Sequence, residues 1–145
     1  MNHKRNLERG QSIVEVSIGF VVILLILSGL LDLGRAYFLH IALEDAVGEA
    51  ALYLSINPSC RTALDGPDCA DPNNAEYRAM NAGGGNLNWV DATVTIERPA
   101  VFGVGDPVEV TISAPFRLIM PFMPQIAGLN PITLTSHATQ VIISE

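Results

Sequence analysis

The feature that most constrains this chain is an apolar run near its N-terminus. Residues 16–31, VSIGFVVILLILSGLL, carry no charge, and Glu15 is the only ionisable residue in 13–31. At about 1.5 Å of rise per residue, a helix over these positions is about 28 Å long, close to the roughly 30 Å hydrocarbon layer of a bilayer. The run therefore predicts a transmembrane helix, which we assign to residues 11–35.

The charges that flank the run predict its direction in the membrane. Lys4, Arg5 and Arg9 precede it, and only Arg35 follows closely. Basic residues beside a first membrane helix stay in the cytoplasm. We therefore expect residues 1–10 to be a cytoplasmic basic leader that suits an anionic leaflet, and residues 36–145 to form an extracytoplasmic domain. The location is then the inner, cytoplasmic membrane, crossed once.

Two other interpretations of the run were weighed. A cleaved secretory signal has a shorter apolar core that ends at small residues. Here the run ends in Leu30, Leu31 and Asp32, and a helical pattern continues beyond it. The remaining alternative is a buried core helix of a soluble protein. We prefer the membrane span to both.

Glu15 is the unexpected charge in this run. A carboxylate in hydrocarbon costs several kcal/mol unless it gains a partner, so an acid at such a position is a functional hypothesis. The alternative is that Glu15 lies near the inner headgroups and reaches water. Position alone leaves both open.

Composition limits what the rest of the chain does. The net charge of −7 divides into +2 for residues 1–10, −1 for 11–35 and −8 for 36–145, and such an acidic domain is a poor match for nucleic acid. The three histidines, His3, His40 and His137, are scattered, and no G-x-S-x-G or H-E-x-x-H motif occurs. We predict no catalytic residue, no cofactor and no metal.

Residues 36–54 predict an extension of the membrane helix into solvent. Their apolar residues follow helical spacing. Within this stripe Ala42, Ala46 and Ala50 stand four residues apart, and small residues at that spacing let another backbone approach closely. The stripe either packs on its own domain or receives a neighbouring subunit.

Asn57 and Pro58 end this helix, and a loop with the chain's two cysteines follows. Because the predicted topology places Cys60 and Cys69 outside the cytoplasm, we predict a disulfide between them. Eight intervening residues speak against a redox or zinc pair.

Two patterns near this loop invite ligand hypotheses. Asp65, Asp68 and Asp71 suggest calcium, but their spacing differs from that of an EF-hand, and we favour a solvated acidic loop. Glycines 83–85 follow a predicted short helix at 74–82 and are not followed by the Lys-Ser or Lys-Thr of a phosphate-binding loop, so we interpret them as a hinge or loop.

Residues 89–97, 108–113 and 132–143 alternate between apolar and polar side chains, which predicts three strands. The turn residues of 98–107 predict a hairpin between the first two. The predicted fold class is therefore α+β, with the long N-terminal helix packed against a small antiparallel sheet of about three strands.

The segment 115–124 is unusually apolar for a connection, and Pro115, Pro121 and Pro124 forbid a regular helix there. Its apolar residues are Phe116, Leu118, Ile119, Met120, Phe122 and Met123. The segment could pack into the core, contact the outer leaflet or meet a partner subunit.

The N-terminal motifs carry a resemblance. The string RGQSIVEV, with Gly10 five residues before Glu15, resembles a type IV prepilin processing site. Together with the aliphatic run and GLLDLGRAYF it resembles the TadE-like family, minor pilins or pseudopilins of tight-adherence (Flp-type) pilus systems. The matching positions are Gly10, Glu15, Gly29, Asp32, Gly34 and Arg35, followed by the small residues Ala42, Ala46, Ala50 and Ala51. Val21 stands where family members often have proline, so no kink is implied there.

The resemblance implies a mechanism. A prepilin peptidase would cut between Gly10 and Gln11, and Glu15 would pair with the new amino group of a neighbouring subunit and set the helix register. The function implied is assembly of a tight-adherence pilus or related secretion machinery, with lipid, other pilin subunits and pilus platform proteins as partners. The alternative is an anchored extracytoplasmic binding module that never enters a filament.

Overall fold

The computed structural model describes residues 3–120 and 131–144, with the backbone alone for residues 3–10 and 86. Its helices are α1 (His3–Ile56) and α2 (Ala75–Ala82), and its strands are β1 (Thr93–Glu97), β2 (Pro107–Phe116) and β3 (Ile132–Val141). The chain forms two compact units. One contains the residues up to Arg35 with the segment that begins at Leu118, and the other contains 36–117 and the part that begins at Pro131.

The helix α1 is continuous through both predicted helical segments. No proline interrupts residues 3–56, and aliphatic residues and alanine dominate them. The helix ends at Ile56, where the Asn57 N–H still donates to the Tyr53 carbonyl (2.9 Å) and Pro58 follows. The predicted helix and its predicted end are both confirmed.

The second unit has its core between α1 and one face of the sheet. The α1 side chains that are fully or nearly fully buried there are Leu43, Ala46, Val47, Ala50, Ala51 and Leu54. They belong to one apolar cluster with Val108, Val110 and Ile112 of β2. Burying each of the leucine, isoleucine and valine side chains among them contributes about 1.5–3 kcal/mol. The predicted α+β fold, with a helix packed on a three-stranded antiparallel sheet, is confirmed.

The alanine stripe of α1 lies inside this core. A Cβ added at Gly83 would lie 3.3 Å from the Ala42 carbonyl oxygen, 3.4 Å from the Ala46 Cβ and 2.8 Å from the Cζ2 of Trp89. The small residues therefore admit a close backbone approach from the end of α2 in the same chain. Ala42, Ala46 and Ala50 are buried within their own unit, which is the first of the two interpretations of the stripe.

The sheet has the order β1-β2-β3 with antiparallel pairing throughout. The predicted hairpin between β1 and β2 is present. The predicted starting point of β1 was wrong by several residues, because Asn88 and Asp91 bond to each other in a turn (2.8 Å). The third strand ends at Val141, after which Ile142 is buried and pairs with the backbone of Gly105 (2.8 Å).

The strand β2 is longer than predicted, because Pro115 and Phe116 belong to it. β1 begins opposite Ser113, so Pro115 lies where β2 has a neighbouring strand on one side only. A residue without an N–H is tolerated at such a position. Phe116 is buried, whereas Phe122 and Met123 lie outside the described residues.

The loop between α1 and α2 is crosslinked and hydrogen-bonded to α2. Cys60 and Cys69 form the predicted disulfide, which is expected to stabilise the fold by about 2–3 kcal/mol. Asn74 is 1% exposed and caps α2 by accepting a hydrogen bond from the Tyr77 N–H (2.8 Å). Its amide nitrogen donates to the Cys69 carbonyl (3.1 Å) and to the Asp71 carboxylate (2.7 Å). Asn74 thus connects the disulfide to the start of α2.

Candidate functional site: the apolar helix and the Asp32 contact

The N-terminal half of α1 is a candidate membrane span. From Gln11 the helix is long and apolar enough to cross a bilayer, and none of its most apolar stretch is buried within the structure. Its exposed apolar side chains include Ile13, Phe20, Ile23 and Leu30. A buried core helix is therefore the wrong interpretation of this run. Apolar surface on this scale indicates contact with lipid or with other protein.

The residues of the predicted processing site lie in the first turns of this helix. Gly10 and Gln11 are both within α1. Glu15 is exposed, between the exposed apolar residues Val14 and Val16, and no described side chain pairs with its carboxylate. The Ser17 hydroxyl donates to the Ile13 carbonyl (2.7 Å), so it is satisfied within the helix.

Asp32 is an acid of this unit with several hydrogen-bond donors around its carboxylate. Its side chain is almost fully buried, and its carboxylate accepts hydrogen bonds from the backbone N–H groups of Ile119 (3.0 Å) and Met120 (2.7 Å). The Arg35 guanidinium donates to the same carboxylate (3.2 Å). Three donors therefore converge on one carboxylate at the C-terminal end of the apolar run.

The other motif residues differ in their surroundings. A Cβ added at Gly29 would lie 3.7 Å from the Sδ and Cε atoms of Met120, an ordinary van der Waals contact. Met120 therefore packs across the turn of α1 that precedes Asp32. Gly34 has open space around it. Gly29 and Asp32 therefore lie against the segment 118–120, and Arg35 donates to Asp32. Gly34 has no such contact.

Sequence reasoning did not predict that Asp32 accepts hydrogen bonds from the backbone of Ile119 and Met120. Asp32 was identified only as a motif position, and the apolar segment 115–124 was considered without a contact to α1. Two unusual features of the sequence could have suggested a contact between them. One is an acid at the end of an apolar helix, and the other is an apolar connection late in the chain. Backbone N–H donors leave no residue-type signature, so the pairing itself could not be predicted from sequence.

The acidic loop has an internal role in the structure. The Asp65 carboxylate accepts from the backbone N–H of Thr62 (2.8 Å), and from the backbone N–H and the guanidinium of Arg61 (both 2.9 Å). The Arg61 side-chain hydrogen bond, assisted by the backbone donors, holds the pKa of Asp65 below its ordinary value of 3.8, although burial acts in the opposite direction. Asp65 thus orders the loop as an anion.

A pH dependence of stability follows from this pKa. Because the folded state has the lower pKa, the contribution of Asp65 is complete above 3.8 and is lost as the pH falls through the folded value. We expect the difference in unfolding free energy between the native chain and Asp65→Asn to be constant above about pH 5 and to shrink on acidification. Urea titration of the full chain in detergent, followed by Trp89 fluorescence, measures it. A difference that does not change with pH would contradict this role of Asp65.

The segment that carries these motifs was compared with known proteins. The sequence model of the family described as TadE-like protein matches residues 10–52. This segment is TadE-like. The resemblance predicted from the sequence is confirmed, and it suggests a pilus-associated protein of tight-adherence systems, a structural rather than an enzymatic family. Searches of curated proteins and of solved structures gave no match.

The TadE-like match includes both the candidate span and the start of the folded unit. It begins at Gly10, includes Glu15 and Asp32, and ends two residues before the buried Leu54. The remainder of the chain, with α2 and the sheet, lies outside the match. The family match therefore concerns the helix α1 and not the sheet of the second unit.

Proposed function

We propose that this chain is a pilin-like subunit that serves assembly of a tight-adherence pilus or of related secretion machinery. The observation that carries the proposal is the TadE-like match on a helix whose apolar side chains are exposed from Ile13 onwards. Exposed apolar surface of this length suits a helix that is stored in lipid and then packs against other subunit helices.

In this proposal residues 11–35 cross the cytoplasmic membrane once. Lys4, Arg5 and Arg9 hold residues 1–10 in the cytoplasm, and 36–145 lie outside. The Cys60–Cys69 disulfide supports this direction, because disulfides persist in oxidising compartments and are rare in the cytosol.

Processing and pairing make the helix competent for assembly. A prepilin peptidase cuts between Gly10 and Gln11 and creates an amino group at Gln11. Glu15 pairs with that group on a neighbouring subunit. The Glu15 carboxylate is costly in lipid when it is alone, and it gains a partner only when the two subunit helices are in the correct register. Pilus platform proteins would supply the site at which subunits meet.

The experiment that tests this proposal is mass spectrometry of the mature N-terminus in cells that have a prepilin peptidase. We expect the native chain to begin at Gln11 and a Gly10→Glu variant to retain residues 1–10. Gly19→Ala is the matched control, because Gly19 has open space around it and lies outside the cleavage site. A native chain that keeps residues 1–10 would instead favour an anchored binding module that stays outside any filament.

A further inference from the structure

The contact between Asp32 and the segment 118–120 lies at a definite depth along the candidate span. Asp32 follows Gln11 by 21 residues, which is about 32 Å of helix at about 1.5 Å per residue. That length is close to the roughly 30 Å of the hydrocarbon layer. With Gln11 at the inner edge, Asp32 and the segment bonded to it lie at the outer edge of the apolar layer.

The hydrogen bonds at Asp32 satisfy both partners. Irregular backbone that lies against lipid has N–H groups without water to bind, and each group left without an acceptor destabilises the structure. A carboxylate at this depth has the same need for donors. The Asp32 oxygens accept hydrogen bonds from the N–H groups of Ile119 and Met120. The carboxylate thereby gains donors, and the two N–H groups gain an acceptor.

The side chains of this segment match an apolar surrounding. Ile119 is 68% exposed even though its N–H is fixed on Asp32. At the same level of α1, Leu30, Leu31 and Leu33 are exposed as well. Tyr37, which follows Asp32 by about one and a half turns, is an exposed aromatic residue of the type that concentrates at membrane interfaces.

We propose that the segment Leu118–Met120 is a second membrane contact of this chain, which Asp32 holds against α1 at the lipid interface of the outer leaflet. The occupant of the surface formed by Ile119 is lipid. Ile119 lies at the same depth as the exposed leucines at the end of the span, so lipid that surrounds the span also reaches Ile119. This favours lipid over a separate protein partner. Asp32 acts as a positioning residue for the loop, and Met120 packs beside Gly29.

This inference rests on the membrane anchor of the proposed function, but it requires neither cleavage at Gly10 nor entry into a pilus. The two can therefore fail separately. An uncleaved chain in vesicles would still place Ile119 in lipid, and a correctly cleaved chain could still leave Ile119 in water.

Fluorescence quenching in vesicles tests the position of Ile119. The full chain, with its native disulfide intact, is prepared as Ile119→Cys, labelled with nitrobenzoxadiazole and placed in phosphatidylcholine–phosphatidylglycerol vesicles. Leu24→Cys in the apolar run is the lipid reference, and Leu64→Cys, 95% exposed in the acidic loop, is the water reference. We expect nitroxide-labelled lipid to quench the label at 119 at least about twofold more than that at 64, as for an interfacial residue.

Asp32 variants test the positioning role. Asp32→Ala should lower lipid quenching at 119 by about half, because the loop loses its attachment to α1. Asp45→Ala, at an exposed acid of the same helix, should leave the quenching unchanged. Unchanged Trp89 emission shows that the second unit of each variant is folded.

Two results would overturn the inference. Quenching of the native-background 119 label by aqueous iodide, to the extent seen at 64, would place Ile119 in water. Protection from both iodide and lipid nitroxide would show that protein covers this surface.

Discussion

Replacing Asn74 with alanine is expected to lower the free energy of unfolding of the second unit by about 2–4 kcal/mol. The substitution removes the cap of α2 and leaves the buried Cys69 carbonyl without its donor. Asn74 is almost fully buried, so water cannot replace the hydrogen bonds that are lost. The measurement is urea unfolding of the full chain in detergent, with the fluorescence of Trp89, the one tryptophan, as the signal.

Two variants divide this effect. Asn73→Ala is the matched control, because the neighbouring asparagine is exposed, and it should change stability by less than about 0.5 kcal/mol. Asn74→Ser keeps an acceptor for the Tyr77 N–H but not the amide donor, so its loss should be intermediate. Equal stabilities for Asn74→Ala and Asn73→Ala would show that the buried hydrogen bonds of Asn74 contribute nothing.

The parts of the fold that periodicity determines could be predicted from the sequence. The run that ends at Leu31 has the length of a span, and the stripe from Leu43 to Leu54 has helical spacing that only a buried face explains. The alternation in β1 and β2 predicts strands because successive side chains point to opposite faces. The disulfide followed from two cysteines in a segment placed outside the cytoplasm.

What the sequence did not predict depends on partners that are remote or carry no residue signal. Asp32 and Ile119 are 87 positions apart and are joined through a backbone N–H, which every residue except proline has. β2 can continue through Pro115 because β1 begins opposite Ser113 and leaves that side of Pro115 without a neighbouring strand. This depends on the register of the sheet, which the sequence pattern does not give. Likewise, the two interpretations of the alanine stripe differed only in whether the approaching backbone belongs to the same chain or to a neighbouring subunit. In the structure it is the backbone of Gly83 in the same chain.

Replacing Glu15 with alanine is the second large expected effect, and it concerns assembly. We expect the amount of the chain in sheared pili to fall on the order of tenfold to a hundredfold, because a neighbour's N-terminal amino group would be left without its counter-charge in an apolar surrounding. The amount in the membrane should not fall, since removing an acid from an apolar helix favours insertion. Quantitative immunoblots of the pilus and membrane fractions measure both.

Controls for Glu15 come from the same helix. Ser17→Ala removes a polar group two residues away whose hydroxyl bonds only its own helix, and it should leave incorporation unchanged. Glu15→Gln keeps the shape of the side chain but not the charge, and it should behave like Glu15→Ala. If Glu15→Gln assembled as well as the native chain, charge pairing at this position would be excluded.

The central claim is that a TadE-like helix anchors this chain in the membrane and then carries it into a pilus. The most direct measurement is mass spectrometry of the native chain recovered from pili sheared off intact cells, compared with the chain left in detergent-extracted membranes. The account predicts recovery from the pilus fraction as a species that begins at Gln11. Absence from pili of cells that hold the chain in their membranes, or recovery as a dissolved monomer without detergent, would contradict it.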